Sequence, residues 1–156
     1  MAEGDGKIYR TFKEDVMCGH HNLDTGGNTL KVALVVGHTP DTVNHNVWGD
    51  VSGDDATGTG YDAGGATLAN QTVVETGTGT GTTGERGKFD ADNVTWTGLN
   101  IAGTSASPTH AILYNDSPTS PADPLIAYWE VTTATNGGDY TLAWNAAGIL
   151  ILYGGN

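Results

Sequence analysis

Positive charge is what this sequence has least of. Its 156 residues include six Lys plus Arg against 18 Asp plus Glu, a formal charge of −12. A nucleic-acid surface needs clustered Lys and Arg to displace the counterions condensed on phosphate, so the balance argues against DNA or RNA as a partner. An anionic membrane surface is disfavoured on the same ground. Cysteine is nearly absent: Cys18 stands alone, which excludes an intramolecular disulfide framework. Long apolar runs are missing too, since Val32–Val36 and Ile149–Tyr153 are far too short to span a bilayer. Met1–Gly6 is acidic and glycine-containing with no apolar run behind it, unlike a signal peptide, so the chain reads as soluble and made inside the cell. With charged residues at 15%, the composition also lacks the Ala, Glu, Lys and Leu richness of a helical bundle.

What is present instead is glycine, 24 residues of it, with abundant Thr. One all-β domain is the expectation for a chain of this length and composition. Residues 1–29 differ from the remainder and read as an extended N-terminal arm, with one short helical turn around Phe12–Val16 and a turn-rich Asp24-Thr25-Gly26-Gly27-Asn28. Residues 30–156 read as the β domain. Leu30–Val36 opens it with aliphatic residues at every second position. A polar excursion over Gly37–Gly65 follows, with a short strand expected at Val43–Trp48, and then a strand over Ala66–Thr76. Thr76–Gly84 alternates Thr and Gly, which is a flexible tip; no Lys-Ser or Lys-Thr follows to make it a phosphate cradle.

In Asn93–Ile101, Val94 and Trp96 share one face, whereas Leu99 and Ile101 continue in the opposite phase. Gly98 is therefore expected to be a β-bulge that returns apolar groups to the core. Further strands are expected at Thr109–Asn115, Leu125–Val131, Tyr140–Trp144 and Gly148–Tyr153, separated by Pro-, Gly-, Asn- and Asp-rich turns. The last is apolar on both faces and calls for a central place in a sheet or cover from another subunit. Seven or eight strands point to an antiparallel β-sandwich, jelly-roll or immunoglobulin-like, with an incompletely closed barrel as the alternative.

Five histidines raise the question of metal. Cys18, His20 and His21 could be joined by His38 or His45, but adjacent His20 and His21 point to opposite faces of a strand, and no second Cys or His-x₃-His pair exists. No metal and no cofactor is expected. The acidic stretch Asp50–Asp55 lacks the alternating acids and distant Glu of a helix-loop-helix calcium loop and reads as a solvated loop, a weak cation site being its other reading. No Gly-x-Ser-x-Gly is present, and Asp90 with Asp92, or Asp116 with Asp123, are spaced as turn residues, so no catalytic residue is assigned. Trp96, Tyr114, Tyr128, Trp129, Tyr140 and Trp144 lie on expected strands as core fillers, while Trp48 and Tyr61 flank the polar excursion and are candidates for a surface contact.

The order Gly58-Thr59-Gly60-Tyr61, Gly64-Gly65-Ala66-Thr67-Leu68, Phe89-Asp90-Ala91, Asn93-Val94-Thr95-Trp96 resembles a group of small structural proteins of tailed bacteriophages. It continues with Ala111-Ile112-Leu113-Tyr114-Asn115, Pro124-Leu125-Ile126-Ala127-Tyr128-Trp129, Gly138-Asp139-Tyr140-Thr141-Leu142-Ala143-Trp144 and Gly148-Ile149-Leu150-Ile151-Leu152. The resemblance covers roughly residues 30–153 and implies a virion β-sandwich without enzymatic activity. A head decoration or cement protein is the first expectation, with the major capsid protein as partner, a homo-oligomer, a trimer first, as the assembly, and the virion head as location. A tail, collar or fibre-base component is the alternative, and a carbohydrate-binding sandwich module the second. The arm suits attachment to an acidic neighbour, because residues 1–31 hold Lys7, Arg10, Lys13 and Lys31 while no base follows Lys88. The residues expected to touch a partner are Lys7, Tyr9, Arg10, Phe12, Lys13, Trp48 and Tyr61.

Overall fold

Alternating apolar residues on Leu30–Val35 put Leu30, Val32 and Leu34 on one side of a strand and Ala33 and Val35 on the other, and all five are buried. A strand buried on both sides has to lie between two layers. In the computed structural model, which describes residues 6–77, 86–101, 107–118, 120–132 and 134–153, that strand is inside a five-stranded sheet. Along the chain the described elements are β1 (Lys7–Ile8), α1 (Arg10–Met17), β2 (Leu30–Val35), two 3₁₀ turns (Trp48–Asp50 and Ser52–Asp54), β3 (Gly58–Thr59), β4 (Ala66–Thr67) and β5 (Thr72–Thr76). There follow β6 (Arg86–Asp90), β7 (Val94–Ile101), β8 (His110–Asn115), β9 (Leu125–Glu130), β10 (Gly138–Leu142) and β11 (Leu150–Tyr153).

The large sheet has the order β1-β9-β8-β2-β4, and two three-stranded sheets run β10-β7-β3 and β11-β6-β5; all pairings are antiparallel. Register explains the layering. Val32 pairs with Leu113 and Leu113 with Ala127, so these point to one face. There they meet Val94, Trp96, Leu99 and Ile101 of β7, Tyr140 and Leu142 of β10, Phe89 of β6 and Leu150 of β11 in one core. The fold is an all-β sandwich. Full burial of side chains such as Leu34 or Leu113, both 0% exposed, stabilises by about 1.5–3 kcal/mol each.

The outer face of the large sheet, carrying Ala33, Val35, Ile112, Tyr114 and Tyr128, is covered by Tyr9, Val51 and the half-buried Trp48. The N-terminal segment therefore does not stand off as an extended arm. Ile8 pairs with Ala127, Tyr9 N–H donates to the Ile126 carbonyl at 3.0 Å, and Phe12 is buried in the main core. The loop after the helix is tied down by the fully buried Asn115, whose two amide N–H groups are shared among the His20 carbonyl, His21 Nδ1 and Asn28 Oδ1.

Gly98 is the bulge the phase change predicts. Leu99 pairs with Gly138 but Trp96 with Tyr140, one residue extra on β7, and Gly98 takes φ +64. Its N–H donates to Asp139 Oδ1 at 3.0 Å. Other expectations are corrected. Val43–Trp48 forms turns with one isolated bridge at Val47, because Asp41 Oδ1 accepts the N–H groups of Val43 and Asn44 and curls the chain. Ala66–Thr76 is two strands, broken near Asn70 with φ 53. The last strand is not central: β11 is an edge, with Leu152 and Tyr153 exposed. Most of the Thr-Gly tip, residues 78–84, lies outside the described residues.

Candidate partner-binding surface

Helix α1 divides its residues by period. Phe12 and Asp15 point inward and are buried, with Val16 half-buried beside them. Arg10, Lys13, Glu14 and Met17, at i, i+3, i+4 and i+7, form the outward stripe. Asp15 is satisfied where it is buried: it accepts Thr11 Oγ1–H at 2.8 Å and His20 Nδ1–H at 2.9 Å. The helix is thereby pinned both through Phe12 and through its own carboxylate.

The outward stripe forms one wall of a groove of about 460 Å³, completed by Val43 and Asn46 of the neighbouring turn. Arg10 N–H donates to the Thr42 carbonyl at 3.1 Å and fixes helix and turn together. Asp41 shapes the turn: it accepts Asn44 Nδ2–H at 2.6 Å, and this bond, with the backbone N–H groups of Val43 and Asn44, holds its carboxyl below the ordinary range. Met17 is 82% exposed and Val43 55%. Two cations, the Glu14 carboxylate and two uncovered apolar side chains thus lie around one shallow concavity, a net-positive rim suited to a protein surface that presents acids around an apolar spot.

Of the seven residues expected to touch a partner, Lys7, Arg10 and Lys13 are exposed. Tyr9 and Phe12 are buried and unavailable to one. The Tyr9 ring lies 5.4 Å from that of Tyr128, and burial pushes its phenol well above the usual range. Their burial follows from β1 adding to β9, a pairing between segments far apart in sequence. Trp48 stacks on Tyr114 at 4.7 Å with the planes 7° apart and is half-buried. Tyr61 is turned inward too: its hydroxyl donates to Asp55 Oδ1 at 2.7 Å and accepts Leu34 N–H at 2.9 Å. Burial, then Asp55, raises its phenol strongly. Met17, Val43 and Asn46 escaped the sequence reading. Met17 was findable from its spacing to Arg10, whereas Val43 and Asn46 reach the groove only through the fold.

The histidines fall into separate settings. His20 binds Asp15. His21 Nδ1 faces the Asn115 amide at 3.0 Å and its ring lies 5.2 Å from Phe12; desolvation lowers its pKa to about 4. The rings of His38 and His45 lie 5.2 Å apart and tilted by 34°, His110 lies 6.2 Å from His38, and His38 Nδ1–H donates to Asp54 Oδ2 at 2.7 Å. Burial, then His38, lowers the pKa of His110. Cys18 is exposed. Among the described residues, no group of three or more His, Cys, Asp or Glu is arranged to hold a metal ion. The acidic stretch is engaged by protein donors: Asp50 accepts the N–H groups of Asn46 and Val47, Asp54 holds His38, and Asp55 holds Tyr61 and Gly64 N–H. Those first two bonds hold the Asp50 carboxyl below its usual range.

No protein-family model, no curated protein and no solved structure matches this chain.

Proposed function

We propose that this protein is a non-enzymatic structural component of a tailed-phage virion, of the head decoration or cement kind, that docks on an acidic surface of the major capsid protein. The observation carrying the docking reading is the outward stripe of α1, where Arg10 and Lys13 flank Met17 and Val43 on a chain of net charge −12. Lys7, three residues before Arg10 on β1, is a further exposed base of the same segment. The strand order that resembles phage structural proteins supplies the particle. Docking is rigid in this account, because the segment carrying the bases is already paired to β9 and anchored by Phe12. It therefore avoids the ordering cost of an arm that folds on binding.

A protein that binds the assembled lattice and not its free subunits shifts the equilibrium toward the lattice by mass action, and many copies act collectively. Copies associate as a closed ring, a trimer first, through Val73 and Leu152, apolar groups left exposed on one face of the β11-β6-β5 sheet. The direct experiment is co-sedimentation with purified expanded capsids, comparing the native protein with the Arg10→Glu/Lys13→Glu double variant. Capsid affinity is expected to fall at least tenfold in the variant, with an unchanged melting temperature and a native affinity that weakens with salt. Equal capsid binding by both proteins would sink the docking surface. Immunogold labelling of tails rather than heads would move the protein to the tail, collar or fibre base.

A further inference from the structure

We infer that a second groove, remote in chemistry from the basic one, binds a neutral saccharide. It measures about 420 Å³, a volume ordinary for small-molecule sites, and lies where β9, the end of β10 and β11 meet. Trp129, Trp144, Tyr153, Asn145, Ile151 and Gly6 are among its lining residues, and none of the lining side chains is charged. That neutrality is selective in a chain with 18 acids and six bases. Arg86 faces the Tyr153 ring without lining the groove, and a sugar ring needs no counter-charge: its C–H face packs on an aromatic ring and its hydroxyls exchange hydrogen bonds with amide and phenol groups.

The aromatic platform is held in place before any ligand arrives. Trp144 Nε1–H donates to the Asp92 carbonyl at 2.9 Å, its backbone N–H donates to Asn93 Oδ1 at 2.9 Å, and its ring meets Trp129 edge-on at 5.1 Å. Trp129 is in turn backed by the Gly6 backbone, which lies so close that any Cβ at that position would collide with the indole. Tyr153, 52% exposed, has the Arg86 guanidinium 5.8 Å from its ring centre. Asn145 supplies the polar side: Ala147 N–H donates to its Oδ1 at 2.9 Å, which orients the amide and leaves Nδ2 to donate to a hydroxyl. The platform and the donor belong to adjacent residues, so the spacing between stacking face and hydrogen bond is set by the backbone. This saccharide site is independent of the docking surface on α1. On a particle bearing many copies, weak single-site binding would be multiplied by avidity.

The test is affinity electrophoresis of the whole chain through gels containing dextran, galactomannan, xyloglucan or mixed-linkage β-glucan, with alginate as the acidic control. Tryptophan fluorescence would follow titration of the matching hexasaccharide. Retardation in at least one neutral gel is expected, insensitive to salt, and reduced at least tenfold in affinity by Tyr153→Ala and by Asn145→Ala. Both positions are exposed, so both variants are expected to keep the native melting temperature. Migration unaltered in every neutral gel, retardation only in alginate, or full retardation of both variants would overturn the inference. So would a concentration-dependent self-association abolished by Tyr153→Ala without any retardation, which would assign the groove to a second copy of the chain.

Discussion

The five-stranded sheet and the β11-β6-β5 sheet are built from similar aliphatic residues and end in opposite states. In the first, Leu34, Ile112 and Leu113 are all 0% exposed, because the sandwich core covers one face while Tyr9, Trp48 and Val51 cover the other. In the second, Phe89 and Leu150 are buried, but Val73, Val74, Leu152 and Tyr153 are 42%, 46%, 50% and 52% exposed. Register puts Val73 and Leu152 on the same face as Phe89 and Leu150, so a shared face is not enough and burial ends where the sandwich core stops. The difference separates a scaffold from a surface still free to make contacts.

The sharpest way to break this contrast is Leu113→Ala, which empties a site closed on both sides and should cost about 2–5 kcal/mol in denaturant unfolding. A loss below about 1 kcal/mol would show that the large sheet is loosely packed.

The next effect is in pH. His21 has its folded pKa depressed from 6.5 to about 4, so the unfolded chain binds the extra proton between those values. Its contribution is complete above 6.5 and is lost as pH falls toward 4. After allowance for partial exposure this amounts to about 1–2 kcal/mol. His21→Gln should flatten that part of the melting-temperature profile, leaving the acid limb from Asp24, Asp41 and Asp50, whose carboxyls are held below 3.8 by hydrogen bonds. An unchanged profile would show that His21 is not desolvated where it packs against Phe12 and Asn115.

Gly98→Ala places a Cβ in ordinary van der Waals contact with the Gly137 carbonyl oxygen at 3.8 Å, without a clash, but at φ +64. It should cost about 1 kcal/mol from backbone strain alone. Smallest of all, in protein dilute enough to be monomeric, Leu152→Ala on the open sheet should change stability by less than about 0.5 kcal/mol. A larger loss measured in dilute protein would mean that Leu152 is covered after all.

Much of the fold was legible because strand periodicity and turn chemistry are local. Val94 and Trp96 followed by Leu99 and Ile101 revealed the Gly98 bulge, since a change of phase along a strand requires an extra residue. For Leu30–Val35 the alternation marked one apolar face, and burial of Ala33 and Val35 on the other came only with the covering layer of Tyr9, Val51 and Trp48. The candidate sites were legible only in part. Lys7, Arg10 and Lys13 stand out in a base-poor chain, and charge stays at the surface without a specific partner. Tyr9 and Phe12 carry no local mark of burial, because their cover comes from β9 and the core. Tyr61 looked like a surface aromatic until Asp55 and the Leu34 backbone supplied its hydroxyl with partners.

Composition and periodicity alone established an all-β chain, short of bases and without disulfides, whose strands alternate in and out. Those properties depend on each residue and its nearest neighbours. Which strand became an edge, which aromatic faced water and which neutral side chains met to form the Trp129–Trp144 groove depended on pairings between distant segments, such as β1 with β9 and β11 with β6. Contacts of that range are selected by the packing of the whole core, and no local pattern encodes them one at a time.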